Sequence, residues 1–276
     1  MSQPADPQPD LSADPDLAAL VRSLRATARN RVFALTYAGC KYWVKSAGPP
    51  RLRSSVLLQA ALAGLFRLPL LRPPHMPGGA SGLAAEAAAI RELAAAGFPV
   101  PAVIACAPEW LVLGDASEGL EPQLNAAADD ETRWALIAGA AALLGRLHAA
   151  GHWHGGAHFR NFCRSPATGE IGLLDFEDHD LPGMMTAERQ ARDLLLFIYS
   201  LARYDPAPDA PRLTALATHL LAAAAPDSRR ALRRLRRRMG WLLGRARRVR
   251  RGGGRDVRQA QETPAVLTAP QAACPP

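Results

Sequence analysis

A change of pattern near residues 114–125 constrains the fold of this chain more than any other feature. Before it lie short β-rich runs: 31–37 (RVFALTY) and 41–46 (KYWVKS), which read as a hairpin, then 99–106 (PVPAVIAC) and 109–114 (EWLVLG). They are joined by one strongly helical segment, 83–96 (LAAEAAAIRELAAA), stopped by Gly97 and Pro99, and preceded by a short helix over 16–29. After the change the chain is helical: a long Ala/Leu helix over 130–150, an apolar helix over Ala187–Ala202 and two or three more over 211–251. The exception is a short strand, Ile171 to Asp175, behind an irregular polar stretch at 152–169. Strands first and helices second predict an α+β chain in two lobes, 16–114 and 115–251, with a cleft between them where ligands commonly bind.

Composition removes several alternatives. With 276 residues, 49% hydrophobic and 21% charged, the chain has ordinary globular usage, which excludes a wholly disordered chain, a collagen-like fibre and a disulfide scaffold. Cys40, Cys106, Cys163 and Cys274 are spread without CxxC spacing, which fits a reducing compartment and argues against a zinc ribbon. The segments 1–15 and 252–276 read as disordered tails. The start, MSQPADPQPDLSADPD, lacks a basic region and an apolar region and so predicts no secretory signal. No run reaches 18 uncharged apolar residues; Val56–Leu71 comes nearest but is broken by Arg67 and Pro69, which predicts a buried or interfacial segment. The breaker-rich LRPPHMPGGASG at 71–82 reads as a mobile loop. A cytoplasmic protein is the expectation.

The net charge of +8 is unevenly placed. Residues 227–258 carry fourteen Arg against two Asp, a local balance of +12, so the rest of the chain is at −4. The basic balance belongs to a C-terminal appendix and not to the body of the fold. Arg outnumbers Lys 31 to 2, so a retained lysine, Lys41 or Lys45, is informative: some chemistry needs a compact point charge in place of a planar fork.

The densest polar cluster is HWHGGAHFRNFCRSPATGEIGLLDFEDHD at 152–180. His154 is followed seven residues later by Asn161, and fourteen residues after that Asp175-Phe176 follows an apolar strand. A strand end that presents an Asp, facing an Asn on a loop, suits Mg²⁺, which takes oxygen ligands together with phosphates.

Here the residues resemble the protein-kinase-like superfamily, most closely the small bacterial branch of lipopolysaccharide core kinases and aminoglycoside-type phosphotransferases, over roughly residues 30–205. The resemblance implies a two-lobe kinase-like α+β fold, ATP and Mg²⁺ as cofactors, and transfer of phosphate to a lipopolysaccharide sugar or other small hydroxyl acceptor. It gives Lys45, in Tyr42-Trp43-Val44-Lys45, the nucleotide phosphates, and Glu86 the ion pair with that lysine. Asn161 and Asp175 become cofactor and metal ligands, and Gly97-Phe98-Pro99-Val100-Pro101 is similar to the G-x-P-x-P of such phosphotransferases. Glu109 to Asp115 takes the place of the hinge, and Asp193 resembles the buried Asp that braces the catalytic loop.

Three departures qualify this. The position of the catalytic Asp, two residues after His154, is Gly156; D-F-G becomes Asp175-Phe176-Glu177; and no G-x-G-x-x-G precedes Lys45. His158, two residues past Gly156, is the candidate substitute base, with ordering of the loop as its alternative role. Glu177 is either a second metal ligand or solvent-facing. Gly156 also supports a rival reading, a pseudokinase or nucleotide-binding scaffold without transfer activity.

Two further features each suit more than one role. His148, His152, His154 and His158 cluster near Cys163, and the i, i+4 pair His148/His152 raises a zinc site, although Gly151 interrupts the helix between them. The Arg-rich stretch 229–251 is a solvated basic helix, an anionic-membrane-surface helix or a non-specific attractor of nucleic acid. We favour the membrane surface, since Leu232, Leu235, Met239, Leu242 and Leu243 fall near one face beside Trp241. No motif for specific nucleic-acid recognition is present.

Overall fold

The computed structural model describes residues 14–49, 60–61, 63–75, 77–115, 118–165, 168–201 and 210–248. The expectations for residues 1–13 and 249–276 lie outside the described residues. The small lobe begins with helix α1, Pro15–Thr27, started by Asp14, whose side chain accepts from the N–H groups of Asp16 and Leu17. Strands β1 (Val32–Tyr37) and β2 (Cys40–Ser46) form the expected hairpin, in register from Tyr37 opposite Cys40 to Val32 opposite Lys45. Strands β3 (Val103–Ala107) and β4 (Trp110–Gly114) complete an antiparallel sheet of order β1-β2-β4-β3. Leu17 and Val21 of α1 pack with Leu35, Tyr42, Val44, Ile104 and Val112 on one face of it. Helix α2, Gly79–Ala95, sets Leu83 and Ala87 against Leu111 of β4.

The hairpin turn is only two residues long, and both Ala38 (φ 49°) and Gly39 (φ 77°) are left-handed. That is the conformation two-residue hairpins favour, but alanine pays about 1 kcal/mol for it. Ala38→Asn, which creates the Asn-Gly pair such turns prefer, is expected to raise the unfolding midpoint by roughly 2 °C in a thermal melt. So short a turn also holds no glycine loop that could wrap phosphates.

The helical lobe opens with a short strand β5, Glu118–Gly119, and helix α3, Leu120–Ala126. Helix α4, Asp130–Ala149, is capped by Asp129, which accepts from Thr132 N–H at 2.7 Å, and complements its dipole with Asp130 and Glu131 first and Arg146 and His148 last. Gly151, at φ 84°, turns the chain out of it. The polar stretch that follows contains β6, Phe162–Arg164, and β7, Ile171–Leu173, in a second sheet of order β5-β6-β7. Helices α5 (Thr186–Leu201), α6 (Ala210–Ala223) and α7 (Pro226–Arg248) complete the lobe. Phe159, Phe162, Phe176, Phe197, Leu144 and Leu147 lie at its centre. This is the two-lobe, kinase-like α+β arrangement that the resemblance implies.

Four expectations are corrected. The stretch 71–82 is not a free loop: His75 N–H donates to Asp180 O, and α2 already begins at Gly79, four residues before the expected start at 83. The apolar run before it crosses to the helical lobe, where Leu68 and Leu70 are buried in the large core. There Arg192 donates to Leu70 O and Arg72 O, and Arg238 of α7 donates to Phe66 O and Arg67 O. The run 99–106 is a strand only from Val103, because Pro99 and Pro101 cannot donate to a ladder; instead Pro99 O accepts from Leu173 N–H of β7. The strand expected over 171–175 ends at Leu173, since Asp175 is left-handed at φ 61°. Finally, Leu232 and Leu235 of α7 are core residues, so this half of the apolar face proposed for a membrane is used within the fold. No described helix is long and apolar enough to cross a membrane.

Candidate active site

Three carboxylates from both lobes converge on one lysine. Lys45 lies on β2, which the sheet register fixes opposite Leu111 of β4. Its Nζ is 2.7 Å from Glu86 Oε1 on α2, 2.8 Å from Asp175 Oδ1 and 2.7 Å from Glu177 Oε1, the last two from the loop after β7. Arg31 holds the same Glu177 oxygen at 2.7 Å. The alternative of a solvent-facing Glu177 is therefore wrong: its side chain is 13% exposed and doubly paired. Phe176 N–H also donates to Glu86 Oε1, so the helix and the loop are joined at two points.

The electrostatics follow from burial. Desolvation would lower the Lys45 ammonium, but Glu86, Asp175 and Glu177 outweigh it and hold the pKa above the ordinary lysine value. Burial raises Glu86 above the usual glutamate range in spite of Lys45, and its Oε2 is buried without a hydrogen-bond partner among the described residues. Asp175 is 46% exposed at its side chain, and burial of its surroundings is outweighed by Lys45, which holds it low. The cluster therefore keeps Lys45 charged and Asp175 ionised, with Asp175 open to solvent.

The loop at 152–161 is held by one helix. Asp193 of α5, fully buried, accepts from His154 N–H at 2.7 Å, from Gly155 N–H at 2.8 Å and from His148 Nε2 at 3.2 Å. From the same helix Gln190 donates to His148 O and His152 O, Arg192 to Gly155 O, and Ser200 Oγ accepts from Phe159 N–H. His154 bonds Leu174 O through Nε2 and receives Gly156 N–H at Nδ1, so the imidazole is neutral with its proton on Nε2. Burial lowers its pKa accordingly, and its ring stacks on Phe176 at 4.7 Å. Asn161 Nδ2 donates to Gly156 O at 2.8 Å, and Leu174 N–H donates to Asn161 O, which sets the loop beside the strand that leads to Asp175.

Lys45, Glu86 and Asp175 are thus brought together, and Asn161 is fixed to the neighbouring loop. His158 donates its backbone N–H to Gly156 O; burial, reinforced by the charges of Arg160 and Arg192, lowers its imidazole to about 4, so it is neutral at pH 7. Lys41 pairs with Asp115 on the surface. The histidines are engaged one by one, His148 with Asp193, His152 with Glu92 and His154 with Leu174 O, and no group of three or more His, Cys, Asp or Glu suited to a metal occurs among the described residues. The sequence reading missed Gln190, Arg192, Ser200 and Asp178. The Arg192-Asp193 pair directly before the apolar run that ends the helix was the available signal for the first three.

The fold is a two-lobe α+β arrangement with one lysine and three carboxylates where the lobes meet. No family model matches the chain, and no curated protein matches it. Among solved structures it is similar to WaaP in complex with acyl carrier protein, at 15% identity over 86% of this chain and 98% of that one, with a TM-score of 0.47.

Proposed function

We propose that the chain is an ATP- and Mg²⁺-dependent phosphotransferase whose acceptor carries a hydroxyl, in the class that includes lipopolysaccharide sugars, with its lobes divided near residues 114–115. The observation that carries the reading is the convergence of Lys45 with Glu86, Asp175 and Glu177 across the two lobes. A lysine buried among three carboxylates, only one of them also paired to Arg31, leaves the cluster short of positive charge. The donor set is all oxygen, as Mg²⁺ requires, and Asn161, by donating through Nδ2 to Gly156 O, keeps its carbonyl oxygen for a cation. Asp175 and Asn161 would hold the metal, with Glu177 beside them, and a bound Mg²⁺ would offset phosphate charge. Lys45 would then orient the α/β-phosphates while Glu86 holds Lys45. His158, neutral at pH 7, would order the loop or act as a weak base.

A second reading, a pseudokinase that binds nucleotide without transfer, is favoured by Gly156 at the base position. Thermal unfolding of the full chain separates the outcomes. MgATP at 100 times Kd is expected to add about 2.7 kcal/mol of stability. Asp175→Asn, which keeps a residue tolerant of the left-handed backbone, should stay folded and lose the Mg²⁺-dependent part of the shift. No shift at millimolar MgATP overturns both readings, and a shift without turnover selects the pseudokinase.

A further inference from the structure

The missing carboxylate at Gly156 has a neighbour that fills its place. A Cβ built on Gly156 would lie 3.1 Å from Asp178 Oδ2 and 3.2 Å from Asp178 Cβ. The side chain of Asp178 thus lies against the bare Cα of Gly156, in the space that an aspartate at 156 would itself enter. The two glycines are shaped for this approach. Gly155 is left-handed at φ 91°, and a Cβ there would be 2.7 Å from His179 Cα and nearer still to Asp178 O. Gly156 carries no such backbone restriction; the three atoms nearest that Cβ all belong to the Asp178 side chain.

The segment that carries Asp178 is fixed. His179 N–H closes a turn onto Phe176 O, Trp153 Nε1 donates to His179 O, and the Trp153 and His179 rings stack at 5.0 Å. Gly156 O, in turn, is the acceptor for Asn161. Asp178 therefore lies against the loop that carries Asn161, one residue after Glu177 of the Lys45 cluster. No hydrogen bond from the described residues engages its carboxylate.

We propose that Asp178 supplies the general base that Gly156 lacks, an inference that rests on the phosphotransferase reading above. In the step, the Asp178 carboxylate takes the proton of the acceptor hydroxyl as the acceptor oxygen bonds to the γ-phosphorus. The bond from that phosphorus to the β,γ-bridging oxygen breaks, ADP leaves with its electron pair, and Asp178 later returns its proton to solvent.

The test uses the full chain with Mg²⁺ and γ-labelled ATP, following phosphate released to water or transferred to the chain's own hydroxyls, with MgATP binding read in parallel from the unfolding midpoint. Asp178→Asn is expected to keep the MgATP-dependent shift and to lose roughly 10²–10⁴-fold in turnover. Asp178→Ala should lose as much, and the double variant Asp178→Ala/Gly156→Asp, in which the base moves to the vacated place, should regain about tenfold or more of that loss; a purely structural role for Asp178 would not produce this rescue. Turnover of Asp178→Asn within about threefold of wild type overturns the proposal and leaves the phosphotransferase reading standing. A wild-type chain that binds MgATP without turnover overturns it in favour of the pseudokinase, and one that does not bind MgATP overturns the reading beneath it.

Discussion

Asp193→Ala is expected to cost about 4 kcal/mol and to lower the unfolding midpoint by roughly 10 °C. The cost comes from unsatisfied buried groups. The carboxylate is fully buried and accepts from two backbone N–H groups, of His154 and Gly155, and from the His148 ring. Alanine leaves all three donors in a cavity that the Phe-rich core does not collapse to fill, and each buried orphan costs about 1–3 kcal/mol. Asn at the same position is nearly as damaging, since its NH₂ faces a donor. The effect carries a pH dependence of known sign. Burial alone would raise Asp193, but the hydrogen bond and charge of His148, with the contribution of His154, hold it below the usual aspartate range. A depressed acid contributes stability above its unfolded value, about 3.9, and loses it as the pH falls through the folded value. Melts of wild type and Asp193→Asn should therefore differ most at neutral pH and converge below pH 4. A constant difference across that range would show that the charge is not what holds the loop.

Lys45→Met should be as costly at neutral pH, with the opposite slope. Removing the ammonium leaves Glu86 buried without its counter-charge, a loss of about 3–5 kcal/mol. Lys45 is held above its ordinary value, so its stability is complete below the unfolded lysine pKa near 10.4 and wild type sits on that plateau at pH 7. In the variant the raised carboxyl of Glu86 governs. A raised acid contributes its stability below the unfolded value, about 4.3, and loses it as the pH rises through the folded one. Lys45→Met should thus be most stable in mild acid and weaken toward neutrality, and Lys45→Met/Glu86→Gln should be more stable at pH 7 than the single variant. A double variant no better than the single one would place the cost in lost packing instead.

The contrast between legible and illegible residues has a physical pattern. Lys45, Asn161 and Asp175 stand out in sequence because each is a charged or amide residue at or next to the end of a strand, and Glu86 and Asp193 because each is a charge beside apolar residues within a helix; the spacing between elements is fixed by strand and helix lengths. The β1–β2 hairpin was legible for the same reason, as two alternating runs around Ala38-Gly39. The start of α2 at Gly79 was not, because Gly78 gives it no capping side chain and Gly-Gly-Ala-Ser-Gly reads as a breaker. The crossing of residues 63–75 to the helical lobe was hidden because its partners, Arg192 and Arg238, lie 122 and 172 residues away and follow no local period. Asp178 was hidden because a carboxylate from one loop occupies the space of a side chain absent from another, a relation that exists only in three dimensions.

That crossing segment sets a schedule for the growing polypeptide. Leu68 and Leu70 belong to a core whose other members, among them Phe197, Leu232 and Leu235, are translated far later. At roughly 5–20 residues per second, the 172 residues between Phe66 and Arg238 take on the order of 10–30 s to synthesise. Throughout that interval the N-terminal sheet can form its hairpins on the ribosome, while the leucines that tie it to the rest remain exposed and open to chaperones.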